Sequence, residues 1–346
     1  MNEIIPRRRQ AVRLTQQDLV RFEYLDGERG FPLVVRPGVA DLNLSEWAGA
    51  HRGLVEGELL SHGAILFRGF RDVTAEHFSL FVGALTDELL DYRERAAPRS
   101  EVRPFIYTST EYPADQRIPL HHEMSYSHNW PTKIWFFCGR PAQSGGRTPI
   151  ADDRRVFGLL SPAIKKRFLE KGVLYVRNYG EGVDLPWQEV FQTDDRGAVE
   201  RYCREAYMTC EWRSGDRLRT RAIRQVVATH PKLGVKVWFN HAHMFHASNL
   251  TPETREALLA QFAEDELPRN AFYGDGSPIE PEVAEEIRET YSRAAVAFDW
   301  QQGDILLLDN FLASHGREAF SGPREILVAM AELYALGAAQ PGLHIL

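Results

Sequence analysis

The stretch PLHHEMSYSHNW, from Pro119 to Trp130, sets His121, His122, Glu123 and His128 close together. Imidazole and carboxylate are the donors that first-row divalent metals accept, so the first question is which of them are ligands. A zinc-protease HExxH is excluded, because the residue four after His122 is Tyr126. Taken as a strand, PLHHEMSY alternates faces, which puts His121 and Glu123 on one side and His122 on the other. A histidine and a carboxylate so placed offer two adjacent ligands. A third from elsewhere completes a facial triad, the arrangement that lets Fe(II) take a bidentate co-substrate and dioxygen together. An HxE triplet also arises readily by chance, and a pair of core-edge residues is the plainer alternative.

The candidate third ligand is His315, in DNFLASHGREAF, the one histidine between positions 247 and 343. It follows the apolar run Ile305 to Leu308. Arg324, nine residues on, opens a further apolar run, where an arginine is costly unless it meets an anion. Its planar fork suits a carboxylate, and a structural salt bridge is the competing explanation. A rival cluster lies in HAHMFH: His241 and His243 share a face on a strand, with His246 close by. Joined to His121 they would form a carboxylate-free, more zinc-like shell. No P-loop, GxGxxG or GxSxG motif occurs.

These residues need firm supports. LNLSEWAGAHRGLVEGELLSHG and TAEHFSLFVGALTDELL have helical spacing, the second with Thr74 as N-cap, around the strand AILFRGF. Residues 91–104 read as a loop. RIPLHHEMSY, TKIWFFCG, GRTPIADD, GVLYVRNY and KVWFNHAHMF read as strands, and RLRTRAIRQVVATH as helical or extended. LSPAIKKRFLE, TPETREALLAQFAEDEL and EPEVAEEIRETYSRAAV read as helices, before a return to β character in AFDWQQGDILLLDNFLASH and PREILVAMAELYAL. The whole is expected to be one domain, 1–346, with its β-core mainly in 105–330 and a helical insertion at about 250–295. The net charge of −7 argues against nucleic-acid binding. The lack of a leader or an 18-residue apolar run points to a cytoplasmic protein without membrane spans. Cys138, Cys203 and Cys210 form no CxxC, and Cys138 reads as a small buried hydrophobe.

Four stretches together resemble the Fe(II)/2-oxoglutarate-dependent dioxygenases of the taurine dioxygenase superfamily. They are YTSTEYPADQRIPLHHEMSYS (107–127), GGRTPIADDRRV (145–156), VWFNHAHMFH (237–246) and WQQGDILLLDNFLASHGREAFSGPREILVAM (300–330). The most similar branch is the aspartyl hydroxylase type of syringomycin biosynthesis. The resemblance implies a mainly β protein with helical insertions, a double-stranded β-helix or jelly roll of the clavaminate synthase-like kind. It implies metal ligands His121, Glu123 and His315, with Thr148 and Arg324 on 2-oxoglutarate. Glu123 stands where many relatives carry aspartate, and a carboxylate there disfavours halogenation. The cofactors implied are Fe(II), 2-oxoglutarate and O2, with succinate and CO2 as products. The implied substrate is an amino acid or an amino-acid derivative from a specialised biosynthetic pathway, either free or tethered to the carrier protein of a peptide synthetase. Substrate-pocket candidates are Tyr107, Thr110, Glu111, His122, Met124, Ser125, Asn240, His241 and His243. Two of these, His122 and His241, stand where amides are common in the branch. The arginine-rich stretch 213–224 could dock an acidic carrier or form an ordinary solvated helix. Hydroxylation, desaturation and epoxidation share this chemistry, and a non-catalytic metal-holding β-barrel is the alternative of a different class.

Overall fold

The computed structural model describes residues 19–25, 30–90, 100–109, 112–180 and 184–335. Its backbone is an eight-stranded sheet in the order Val20–Tyr24, Leu33–Pro37, Ala64–Phe67, Ile305–Asp309, Asn129–Arg140, Glu325–Ala335, Ile106–Thr108, Glu101–Arg103. The central strands read as unbroken apolar runs because the sheet is covered on both faces. Ile134, Phe136 and Cys138 turn to one side with Leu306, Leu308, Ile326, Val328 and Met330. Trp135, Phe137, Ile305 and Leu307 turn to the other, against helices Leu44–Ala50, Arg52–His62 and Ala75–Leu85. Phe78 stacks on Phe137 there at 5.3 Å between ring centroids. Each such buried side chain stabilises the fold by about 1.5–3 kcal/mol. Thr74 caps Ala75–Leu85 as expected, in a capping box that His77 completes.

A second sheet, Val296–Phe298, Thr148–Asp152, Ala313–Arg317, Ile118–His121, shares the inner core through Phe298, Ile150 and Ala313. The fold is therefore the mainly β jelly roll with helical insertions. Within the second sheet His121 lies directly opposite His315. A third sheet, Thr209–Arg213, Arg217–Arg224, Val173–Tyr179, Arg269–Tyr273, packs beside helices Pro162–Lys171 and Pro281–Ala294.

Several local expectations change. PLHHEMSY leaves the sheet at His121, because the chain turns through Met124, whose φ is +58°. Glu123 therefore sits in a turn, not on the strand. KVWFNHAHMF is a strand only over Lys236–Trp238, and Ala242–Phe245 is a short helix. RLRTRAIR is a strand, with Leu218, Thr220 and Ala222 alternating inward. The 250–295 stretch holds a strand, Arg269–Tyr273, between its helices, paired to Val173–Tyr179. Glu101–Arg103 pairs with Ile106–Thr108 where a loop was expected.

The two ligand-bearing strands approach closely at Gly316. A Cβ there would lie 2.6 Å from Ile118 O and 3.2 Å from Leu120 N. Gly316→Ala should therefore push Ile118–His121 off its partner and cost about 1–3 kcal/mol by overpacking. Urea unfolding and iron stoichiometry should both register the change, and wild-type values in both would contradict this packing.

Candidate metal centre

His121 ends its strand, and its register partner supplies the second imidazole, with ring centroids 4.6 Å apart. Glu123 Oε2 lies 4.0 Å from His315 Nε2. One donor atom from each of His121, Glu123 and His315 lies within 4.8 Å of the others, and among the described residues no other such group of metal donors forms. His121 Nδ1 is 2.8 Å from Pro119 O. A carbonyl can only accept, so Nδ1 carries the proton and Nε2 keeps its lone pair for a metal. His315 packs its ring on Phe136, 4.9 Å away. Two imidazoles and one carboxylate at this spacing fit a first-row cation and leave its remaining positions open.

The turn carrying Glu123 is held by Asn310, a residue sequence reasoning missed. Its Oδ1 accepts from Glu123 N at 2.9 Å, and its Nδ2 donates to Glu123 O at 3.0 Å and Pro131 O at 2.8 Å. His122 faces away from the centre, as alternation predicts, but it is no pocket residue. Its Nδ1 is 2.6 Å from Asn310 O and its Nε2 is 3.0 Å from Trp238 O. Since both partners are acceptors, both nitrogens are donors and the ring is an imidazolium. Asp153, fully buried, supplies the counter-charge 3.1 Å from Nε2, and its other oxygen accepts from Ser314 N at 2.8 Å. Burial alone would lower the His122 pKa, but the Asp153 charge and the two carbonyls outweigh it, so the pKa is raised. Asp153 and Asn310 directly follow apolar strands, the one sequence signal that marks them.

The other candidates separate cleanly. Asn240 is consumed by Val226 O and Ala242 N. The rival histidine cluster is dispersed by its helix: His243 Nε2 bonds Leu120 O at 2.8 Å and His246 Nε2 bonds Ile279 O at 3.0 Å. Burial pushes the His243 pKa down to about 3, so it is neutral. His241 remains beside the centre, its ring 5.4 Å from that of His121, with Nδ1 2.6 Å from Ser125 Oγ. Tyr107 and Met124 line the inner core. Met124 also borders a cavity of about 510 Å³ with Leu90, Phe105, His128, Tyr202 and Met330. Thr110 and Glu111 lie outside the described residues. Cys138 is a buried hydrophobe, its thiol pushed up to about 12 chiefly by burial.

Two residues before Ile150, the register partner of His315, Thr148 Oγ1 accepts from Trp300 Nε1 at 2.9 Å, which leaves the hydroxyl hydrogen to donate elsewhere. The Arg324 Nε donates to Gly146 O at 3.3 Å and its guanidinium lies over the Phe320 ring. Burial, then the neighbouring Arg317, pulls the Arg324 pKa down to about 10, so it stays cationic at neutral pH. Among the described residues no carboxylate forms an ion pair with it.

Comparison with known proteins agrees with this geometry. The family described as taurine catabolism dioxygenase TauD, TfdA family matches residues 29–330. Dapdiamide synthesis protein DdaC of Enterobacter agglomerans is 41% identical over 299 residues, covering 86% of this chain and 90% of its own length. A clavaminate synthase-like protein of Arabidopsis thaliana is 30% identical over 330 residues, covering 87% and 94%. Among solved structures, PvcB of Pseudomonas aeruginosa superposes with a TM-score of 0.52 at 19% identity, over 93% of this chain and 94% of that one. The chain belongs to the TauD/TfdA dioxygenase family. It is a 2-oxoglutarate-dependent dioxygenase, an enzyme class that works with iron.

Alanine at His121, Glu123 or His315 should each abolish tight iron retention while the chain stays folded, as read by metal analysis and circular dichroism. His122→Ala should act differently. It leaves Asp153 buried without its cation, at a cost of about 3–5 kcal/mol in unfolding free energy. The folded fraction should still bind iron, and equal iron loss in His122→Ala and His121→Ala would contradict the assignment.

Proposed function

We propose that the chain holds Fe(II) on His121, Glu123 and His315, grips 2-oxoglutarate with Arg324 and Thr148, and hydroxylates an unactivated carbon of an amino acid or amino-acid derivative. The observation that carries this reading is Arg324. A largely desolvated guanidinium that pairs with no acid among the described residues is suited to an external carboxylate. Iron held by His121, Glu123 and His315 would supply dioxygen activation coupled to conversion of 2-oxoglutarate to succinate and CO2. The residues of the chain supply orientation. Arg324 and Thr148 would fix the far carboxylate, His121, Glu123 and His315 would hold the iron, and the apolar wall around Phe136 and Phe298 would keep water from the reaction.

The cavity beside Met124 supports a substrate of modest size, since it starts one residue past Glu123 and its wall is mostly apolar. The relative at 41% identity is named for a synthesis, which favours a biosynthetic role over a catabolic one. An acidic carrier gains little from the arginine-rich stretch. Arg219 and Arg221 both bond Asp265, Arg213 pairs with Glu211, and Arg224 is spent on backbone carbonyls. A small free substrate is therefore the simpler reading, and a tethered one remains an arm of the test.

Arg324→Leu should weaken 2-oxoglutarate binding at least about tenfold, by removing a charge-assisted contact, with iron still bound. Unchanged binding would show Arg324 to be structural. The substrate reading is tested by incubating the iron-loaded enzyme and 2-oxoglutarate with free amino acids and with the same residues on a carrier protein. Gain of one oxygen atom with stoichiometric succinate is expected from mass spectrometry. Loss of two hydrogens would instead identify a desaturase, and turnover of sulfonates alone would overturn the amino-acid assignment.

A further inference from the structure

Arg317 lies two residues beyond His315 and is buried, and among the described residues its hydrogen bonds go to backbone carbonyls. Its Nη1 donates to Tyr112 O at 3.0 Å, and its Nη2 donates to Pro113 O at 2.6 Å and Gln116 O at 2.8 Å. Phe320 adds a fourth bond to the same segment, from its backbone N to Ala114 O at 2.8 Å. Residues 112–117 are otherwise exposed, and they lead straight into the strand that ends at His121. One buried guanidinium and one backbone amide thus hold the approach to a proposed ligand.

The chain just past Arg317 also reaches Arg324. The Phe320 ring is shared by two guanidiniums, with Arg317 Cζ 5.1 Å and Arg324 Cζ 5.3 Å from its centroid. The strand Phe320–Ser321 pairs with Ser144–Gly145, and Gly146 N donates to Ala319 O at 3.0 Å. The chain is packed tightly here: a Cβ on Gly146 would lie 3.0 Å from Phe320 Cβ and 3.2 Å from Arg324 Nε. A shift of the Arg324 guanidinium therefore bears on the ring and through it on Arg317, while the backbone amide of Phe320 holds Ala114.

We propose that Arg317 is a positioning residue that, through Phe320, couples the segment 112–116 to Arg324, so that a dicarboxylate seated on Arg324 orders the segment entering the metal strand. This rests on the reading that Arg324 holds 2-oxoglutarate. The coupling runs both ways by linkage: whatever steadies the segment tightens the dicarboxylate, and the reverse. A cation over an aromatic face is a directional contact, and leucine keeps the bulk of the ring without that attraction. Phe320 is only partly buried, so Phe320→Leu retains the fold.

The test is hydrogen–deuterium exchange of the peptide covering 112–117 in the iron-loaded chain under anaerobic conditions, with and without 2-oxoglutarate, together with the 2-oxoglutarate dissociation constant. In the wild type, 2-oxoglutarate should slow exchange of this peptide about fivefold or more, and Phe320→Leu should remove most of that slowing while weakening 2-oxoglutarate about fivefold, the scale of one cation–π contact. Phe320→Tyr should restore both, and Arg317→Met should leave the peptide fast with or without 2-oxoglutarate. Slowing of wild-type size in Phe320→Leu would overturn the coupling. Arg324→Leu separates the two ideas: unchanged 2-oxoglutarate binding there defeats the seat itself, whereas lost binding there with an unaffected Phe320→Leu defeats only the coupling.

Discussion

The site depends on a buried charge that never touches the metal position. The His122 imidazolium sits between Asn310 O and Trp238 O with Asp153 beside it, all inside the protein. These partners come from three separate parts of the chain: the turn after Ile305–Asp309, the end of Lys236–Trp238, and the start of the helix Asp153–Leu159. Asp153 then reaches Ser314, the neighbour of His315. A buried pair of this kind stabilises little by itself, but it penalises every arrangement that separates its members. The sequence position between two ligand candidates gives that penalty its use, since His122 cannot move without dragging His121 and Glu123.

Sheet and turn divide the work from there. Hydrogen-bonded register sets His121 against His315, a placement that needs no side-chain contact. Glu123 gets no such help, because the strand has ended, and the Asn310 amide replaces the missing ladder by binding both the N–H and the C=O of that one residue. The apolar inner face supplies the rest. With Phe136, Phe298 and Trp300 around the core, charges introduced there interact strongly and water is scarce, which suits a carboxylate held by Arg324. The helices over the outer face do not reach the site and serve to bury its scaffold.

Much of this was legible in the sequence. That His121, Glu123 and His315 come together could be read because ligand chemistry restricts residue types, and the apolar runs could be read because a doubly covered sheet demands them. The alternation argument reached the correct orientation of His122 by an imperfect route: the strand stops at His121, and carbonyl partners, not pleating, turn the next side chain away. HAHMF has no feature that separates a buried strand end from a single helical turn, so alternation puts His241 and His243 on one face, whereas the short helix takes His243 to Leu120 O and leaves His241 on Ser125 Oγ. RLRTRAIR was ambiguous because arginine suits helix and edge strand alike. Asn310, Asp153 and Phe320 were missed because their roles consist of bonds to backbone or to other side chains across the fold, and such partners leave no local pattern.

The most direct test of the central claim is an anaerobic spectroscopic titration of the purified chain with Fe(II) and then 2-oxoglutarate. The account predicts one iron per chain and a weak visible charge-transfer band that appears only when both are present, the sign of a chelated 2-oxo acid on a triad with open positions. Iron that binds with no band after saturating 2-oxoglutarate, or a metal site that takes zinc and excludes the 2-oxo acid, would contradict it.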